Sequence, residues 1–213
     1  MKDVTAIFDI GKTNKKFFLF DDDFQEVHKE YICFDEIEDE DGYPTENLPE
    51  LQKWLKSVFE RILKHSKYNV KAINFSTYGA SFVHLDENGE VLTPLYNYTK
   101  PIEQNVVSSF LDKYGAREDF LKTTGCFDLS MLNSGLQLYW LKYTKPDIFK
   151  KIKYSLHLPQ YLILREILLE PLELRELLEQ IVAPLQHLIR QLRLILVQPR
   201  LLYLTQIKLP ELV

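Results

Sequence analysis

Val4-Thr5-Ala6-Ile7-Phe8-Asp9-Ile10-Gly11-Lys12-Thr13-Asn14-Lys15-Lys16-Phe17-Phe18-Leu19-Phe20 is two apolar runs around one polar turn. Val4 to Asp9 predicts a short, largely buried strand and Lys16 to Phe20 a second, with Ile10 to Lys15 as a tight loop between them. The loop holds the residue types that a nucleoside triphosphate requires: backbone N–H groups at a glycine turn, hydroxyl or amide donors, a cation, and a carboxylate to hold hydrated Mg²⁺. Gly11, Thr13 with Asn14, Lys16 and Asp9 supply these in that order. It is not a Walker loop, because the spacing differs and no Gly-Lys-Thr opens a helix. An ordinary hairpin with a polar turn has the same outline.

Working outward, Glu26 to Phe34 is rich in Val, Tyr, Ile and Phe and predicts a third strand. The acidic run Asp35 to Asp41 that follows lacks the spacing of a calcium loop and reads as solvated. Leu48, Leu51, Trp54, Leu55, Val58, Phe59, Ile62 and Leu63 recur at three- and four-residue intervals, the signature of an amphipathic helix. Val70 to Ser76 and Ser81 to Leu85 predict further strands, with Asp86-Glu87-Asn88-Gly89 as a hairpin turn into Val91 and Leu92. The remainder reads as helical: Ile102 to Tyr114, Arg117 to Thr124, Leu136 to Tyr143, and a short helix opened by Pro146. Strands in hairpin order, then a helix and another strand, favour a mixed sheet in an α/β fold over an all-parallel one. Tyr96 and Tyr98 alternate with Leu95 and Asn97 as a strand would.

The chain has 213 residues, 46% apolar, 27% charged and 13% aromatic, enough for a self-sufficient core and neither polyelectrolyte nor membrane protein in composition. Met1-Lys2-Asp3 starts no signal peptide, and no apolar run is long enough for a bilayer span, so a cytoplasmic location is expected. A net charge of −5, from 26 basic and 31 acidic residues, offers no general reason to bind nucleic acid or anionic lipid. Cys33 and Cys126 lack paired spacing and read as buried thiols; the five histidines form no ligand pair. Trp54 and Trp140 sit in helical patterns and read as core. Asn133 fits a helix cap, while Gln137 fits either a cap or a sugar contact.

Composition changes near Tyr161. Residues 1–160 hold 18 Lys and 2 Arg, whereas 161–213 hold one Lys, five Arg and 18 Leu, with Pro171, Pro184, Pro199 and Pro210 interspersed. The last Gly is Gly135, the last Asn Asn133, the last Asp Asp147 and the last Ser Ser155, so turn chemistry stops with them. Leu174, Leu177, Leu178, Ile181, Val182, Leu185, Leu188, Ile189 and Leu192 keep helical spacing, with Pro184 as a kink. Two readings stay open for 162–213: a Leu-rich helical tail, or unrelated sequence such as a shifted reading frame. Either way 1–161 is the expected globular domain.

The strand, Asp-x-Gly-x-Thr-Asn-x-Lys, strand order resembles the first phosphate motif of the sugar kinase, actin and heat-shock ATPase superfamily, and within it the N-terminal domain of FGGY carbohydrate kinases. Ser76-Thr77-Tyr78-Gly79-Ala80-Ser81-Phe82, then Leu85 to Leu92 and Pro94 to Tyr98, is similar to the rhamnulokinase branch, where a Thr-aromatic-Gly segment meets the sugar. Thr124-Gly125, Leu132 to Lys142, Lys145-Pro146 and Leu156 to Leu162 resemble the family's later helix and the segment after it. The resemblance implies a ribonuclease H-like (actin-like ATPase) fold with a mixed sheet and flanking helices, and ATP-dependent phosphorylation of a sugar hydroxyl. It implies that Asp9 orients Mg²⁺ through water, that Gly11, Thr13, Asn14 and Lys16 line the ATP phosphates, and that Thr77, Tyr78 and Gly79 face the sugar. Alignment and charge neutralisation dominate such chemistry.

The chain departs from the family at two places. Thr99-Lys100-Pro101 stands where many relatives carry a sugar-contacting Asp-Arg pair, and the family's general-base Asp, second phosphate loop and adenosine site map to nothing here. The expectation is an N-terminal kinase fragment that does not turn over alone. The alternative is a non-catalytic kinase-like module using its Leu-rich tail to bind a partner helix or a second copy.

Overall fold

The computed structural model describes residues 1–125, 130–163 and 165. Cys126 and the Leu-rich pattern of 174–192 lie outside the described residues.

Strand β1 (Lys2–Ile10) and β2 (Lys15–Phe20) pair antiparallel, and β3 (Glu26–Ile32) extends the ladder on the far side of β2. Two short strands, β4 (Ile37–Glu38) and β5 (Pro44–Thr45), pair with each other, and helix α1 (Leu48–Leu63) follows. Asn47 caps that helix, its side chain accepting from the Glu50 N–H at 3.2 Å, which answers one of the orphan donors of the first turn. The crossover returns the chain as β6 (Tyr68–Thr77), parallel to β1. The sheet order β3-β2-β1-β6 is therefore mixed, as the hairpin-then-helix order predicts.

Alternation decides the packing. Val4, Ala6, Phe8 and Ile10 of β1 and Phe17 and Leu19 of β2 are buried, and α1 buries Leu48, Leu51, Trp54, Leu55, Val58, Phe59 and Ile62. Phe8 is the centre of this core, with ring centroids of Phe17, Phe59 and Phe75 within 4.7 to 5.1 Å and Trp54 edge-on at 5.8 Å. Each such side chain contributes roughly 1.5–3 kcal/mol on leaving water.

The second half is built differently. β7 (Phe82–Leu85) pairs antiparallel with β8 (Tyr154–His157), a strand that the helical reading of the region misses. Between them come α2 (Gln104–Tyr114), α3 (Arg117–Thr124), α4 (Ser134–Thr144) and α5 (Pro146–Phe149); α6 (Leu158–Leu162) follows β8. Tyr96, Val106, Met131, Trp140 and Leu141 form the core here, so Trp140 is structural, its indole N–H donating to Glu103 Oε2 at 2.9 Å. Asn133 stands at the N-cap position of α4 without a capping side-chain bond.

Several expectations are corrected. Residues 95–98 form no strand: Leu95, Tyr96 and Asn97 are buried in succession, and a single bridge links Leu95 to Glu46. The turn at Gly89 (φ +81°) forms, but beyond it only an isolated Leu85 to Val91 bridge and the Leu92 N–H to His84 carbonyl bond follow. Cys33 is exposed, lying just past β3 on the alternate face that also exposes Tyr31. The acidic run is not wholly solvated. Asp39 is buried against Lys100 Nζ at 2.6 Å, Asp41 accepts from the same ammonium at 2.5 Å, and Lys145 bridges Glu40 and Asp41 at 2.9 and 3.1 Å.

Candidate functional site at the ends of two parallel strands

The β1 to β2 turn closes when the Gly11 N–H donates to the Asn14 carbonyl at 2.9 Å. A Cβ on residue 11 would sit 2.9 Å from that same oxygen, so only glycine fits without moving the backbone. The Gly11 N–H is thereby committed inside the turn, while Thr13 and Asn14 are exposed. The antiparallel register sets Asp9 directly opposite Lys16, and their side chains meet, Nζ to Oδ2 at 3.1 Å, with about a third of each exposed. Lys12 Nζ lies 2.7 Å from Glu36, and the Cys33 thiol donates to Asn14 Oδ1 at 3.1 Å.

The parallel register brings the second candidate segment beside the first. Asp9 pairs with Ser76 and Ile10 with Thr77, so β1 and β6 end side by side. The Thr77 hydroxyl donates to the Tyr78 carbonyl at 3.0 Å. Gly79 is exposed, with its carbonyl 2.6 Å from His157 Nδ1. All eight residues singled out from the sequence, Asp9, Gly11, Thr13, Asn14, Lys16, Thr77, Tyr78 and Gly79, thus lie at one end of the sheet. Gln137 supports that end from α4: fully buried, its Nε2 donates to the carbonyls of Ala80 and Met131 at 3.1 and 3.2 Å, and its Oε1 accepts from the Phe82 N–H. These bonds make it a scaffold residue.

Two residues that sequence reasoning passed over sit between the segments. Lys15 is 1% exposed, with Nζ 2.7 Å from Glu46 Oε2 and 2.7 Å from the Lys12 carbonyl. The same Glu46 oxygen accepts from the Tyr78 hydroxyl at 3.1 Å. Burial first, and the Glu46 charge second, push the Tyr78 hydroxyl far above its ordinary value, so it stays protonated as a donor. A signal for Lys15 existed, since it keeps step with inward-facing Phe17 and Leu19; Glu46, in a loop before α1, had none. Lys12, Glu36, Glu46, Tyr78, Asn97 and Tyr98 line a small polar hollow at this point.

Lys100, at the position of the expected Asp-Arg pair, does not face this hollow as a free cation. Its ammonium is taken up by Asp39 and Asp41 and lies 5.1 and 5.3 Å from the ring centroids of Trp140 and Tyr96. The hydrogen bond from Lys100, joined by Lys145, holds the Asp41 carboxyl below its ordinary range; Glu40, opposed by burial, is held low by Tyr96 and Lys145. Among the described residues no group of three or more His, Cys, Asp or Glu could hold a metal ion, and no helix is long and apolar enough to cross a membrane.

A family model described as the FGGY family of carbohydrate kinases, N-terminal domain, matches residues 4–167. Over 90 residues, 42% of this chain, the sequence is 32% identical to a rhamnulokinase from Halalkalibacterium halodurans, 19% of whose length is matched. Among solved structures, a ligand-bound xylulose kinase from Lactobacillus acidophilus superposes with a TM-score of 0.65 at 19% identity, covering 83% of this chain and 40% of that one. A carbohydrate kinase from Novosphingobium aromaticivorans gives 0.63 at 26% identity (75% and 33%), and Plasmodium falciparum glycerol kinase with ADP gives 0.61 at 20% (78% and 34%). The matched part thus spans a third to two fifths of these solved chains. Their shared fold, ribonuclease H-like and actin-like with a mixed sheet, is the fold described above.

Proposed function

Because the chain belongs to the FGGY family of carbohydrate kinases, we propose that it forms one wall of a site for ATP-dependent phosphorylation of a sugar hydroxyl, with the 9–16 hairpin on the phosphates and Thr77 to Gly79 on the sugar. The observation that carries this reading is the parallel register of β1 and β6, which sets the hairpin and the Thr77 segment at adjacent strand ends. Transfer requires donor phosphate and acceptor hydroxyl in one place, and that register supplies the adjacency.

The chain's own groups then divide the work. Thr13 and Asn14 are exposed on the turn and offer hydroxyl and amide donors to phosphate oxygens. Gly11 contributes the tightness of the turn, its N–H being held by Asn14. Lys16 holds one Asp9 oxygen and leaves the other Asp9 oxygen for hydrated Mg²⁺; Asp9, partly exposed at a strand end, fits a water-mediated cation site and not a closed cage. When bound, Mg²⁺ neutralises phosphate charge. The pairing of Lys12 with Glu36 and Lys15 with Glu46 balances charge around the small polar hollow.

Residues 162–213 we read as a segment distinct in composition from 1–161, with the family match running on to residue 167. No turnover is expected from this polypeptide alone, given the third to two fifths of related chains that it matches. Calorimetric titration of the full chain with Mg-ADP tests the nucleotide half. Saturable binding is expected, weakened about tenfold by Lys16→Ala, the equivalent of one charged hydrogen bond. No heat from the native chain, or unchanged affinity in the variant, contradicts the reading.

A further inference from the structure

The inward positions of β2 are Lys15, Phe17 and Leu19, and the first of these is a lysine where an apolar side chain would complete the face. A charge there is strongly disfavoured unless it is paired and hydrogen-bonded. Lys15 meets that condition through Glu46 and the Lys12 carbonyl, and Glu46 is bonded in turn by the Tyr78 hydroxyl. An unbroken polar line therefore runs from the 11–14 turn through the Lys15 ammonium and the Glu46 carboxylate to Tyr78, between the two segments that the proposed function assigns to phosphate and sugar.

The middle of the line is held fast. Glu46 is bridged to Leu95, its carbonyl accepts from the Leu48 N–H at 3.0 Å at the start of α1, and the neighbouring Thr45 hydroxyl donates to the Leu95 carbonyl. Nor is the line needed to keep β1 and β6 together, since their ladder does that. A buried ion pair is weak evidence for stability, and this one has its ends in two different parts of a site.

We propose that Glu46 is a positioning residue: acting through Lys15 and Tyr78, it couples the conformation of the 11–16 hairpin to that of Thr77–Gly79, so that a ligand on one segment is felt at the other. This rests on the assignment of those segments under Proposed function. Reciprocity follows, because the coupling free energy is the same from either side.

The test is made on the full chain by amide nuclear magnetic resonance. Tyr78→Phe removes one hydroxyl and is expected to shift the amide signals of residues 12–16, leaving those of α5 in place. The same substitution is then made in a Lys15→Met, Glu46→Leu background, which leaves neither charge unpaired; there residues 12–16 are expected not to respond. Hairpin amides that ignore Tyr78→Phe in the native chain, or respond equally in both backgrounds, overturn the proposal. In a second arm, Mg-ADP is expected to shift Thr77 to Gly79 along with the hairpin in the native chain, and the hairpin alone in the Lys15→Met, Glu46→Leu chain. Hairpin shifts without Thr77 to Gly79 shifts in the native chain also overturn it. No hairpin shift at all contradicts the nucleotide reading instead, and the ligand-free comparison then decides the coupling by itself.

Discussion

Among the described residues two lysines, Lys15 and Lys100, are almost fully buried, and their surroundings differ. Lys15 closes the edge of an aromatic and aliphatic core, answers one carboxylate and one carbonyl, and connects two strand ends that the sheet already aligns. Lys100 answers two carboxylates, packs between two aromatic rings, and pins the 39–41 loop onto the Tyr96 and Trp140 core where no ladder does so. The same side chain is thus a connector in one region and a structural bolt in the other. The half of the molecule built on a regular sheet can carry polar groups at its edge for other purposes, whereas the half built from short elements depends on buried charge to hold its loops.

Breaking the bolt is expected to cost most. Lys100→Met leaves buried Asp39 with only the Asp41 and Tyr43 backbone N–H groups and Asp41 with only Lys145, a loss of about 4 kcal/mol in urea unfolding. Lys15→Met strands only Glu46, which keeps its Tyr78 donor, and is expected to cost about 3 kcal/mol; a larger loss than for Lys100→Met would reverse the comparison.

A buried histidine with no charged partner lies in β7. His84 is fully buried, its Nδ1 2.9 Å from Ser155 Oγ, and burial pushes the ring down to about 4 from 6.5. The unfolded chain takes up this proton first, so the stability that neutral His84 permits is complete above pH 6.5 and is lost as pH falls toward 4. The loss is about 3 kcal/mol over that interval. His84→Asn is expected to flatten it in a pH series of unfolding curves, while the loss at still lower pH, from Glu40 and Asp41 held under their ordinary values, remains.

Smaller effects sharpen the contrast. Trp140→Phe removes the bond to Glu103 and weakens the ring beneath Lys100 and Lys145, an expected loss of about 1.5 kcal/mol by thermal unfolding. Lys12→Ala removes a half-exposed pair with Glu36 and is expected to change stability by under about 1 kcal/mol.

How much of this was legible follows from the range of the interactions involved. β1, β2 and α1 were readable because each carries its own period and buries one face, β6 as a short run rich in Val, Ile and Phe, and the Asp9 to Lys16 pairing follows from a hairpin of that length. The charge bolt was not, because an acidic run looks solvated until its cations are known, and Lys100 lies 61 residues from Asp39 and Lys145 104 from Asp41. β8 was missed for a similar reason: four residues have too little pattern, and their partner strand lies some seventy positions earlier. Lys15 was readable by parity with Phe17 and Leu19, but lysine biases a reader toward solvent; Glu46 gains its role only when β6 delivers Tyr78 to it.

The adjacency of hairpin and Thr77 segment around a common phosphate position is the central claim, and paramagnetic broadening tests it most directly. Mn²⁺ with ADP is added to the full chain and the amide signals are followed. The account predicts the strongest broadening at Asp9, Gly11, Thr13 and Asn14, with Ser76 and Thr77 next and α5 unaffected. Broadening centred elsewhere, on the Asp39 to Asp41 loop for example, or spread evenly over the surface, would contradict it.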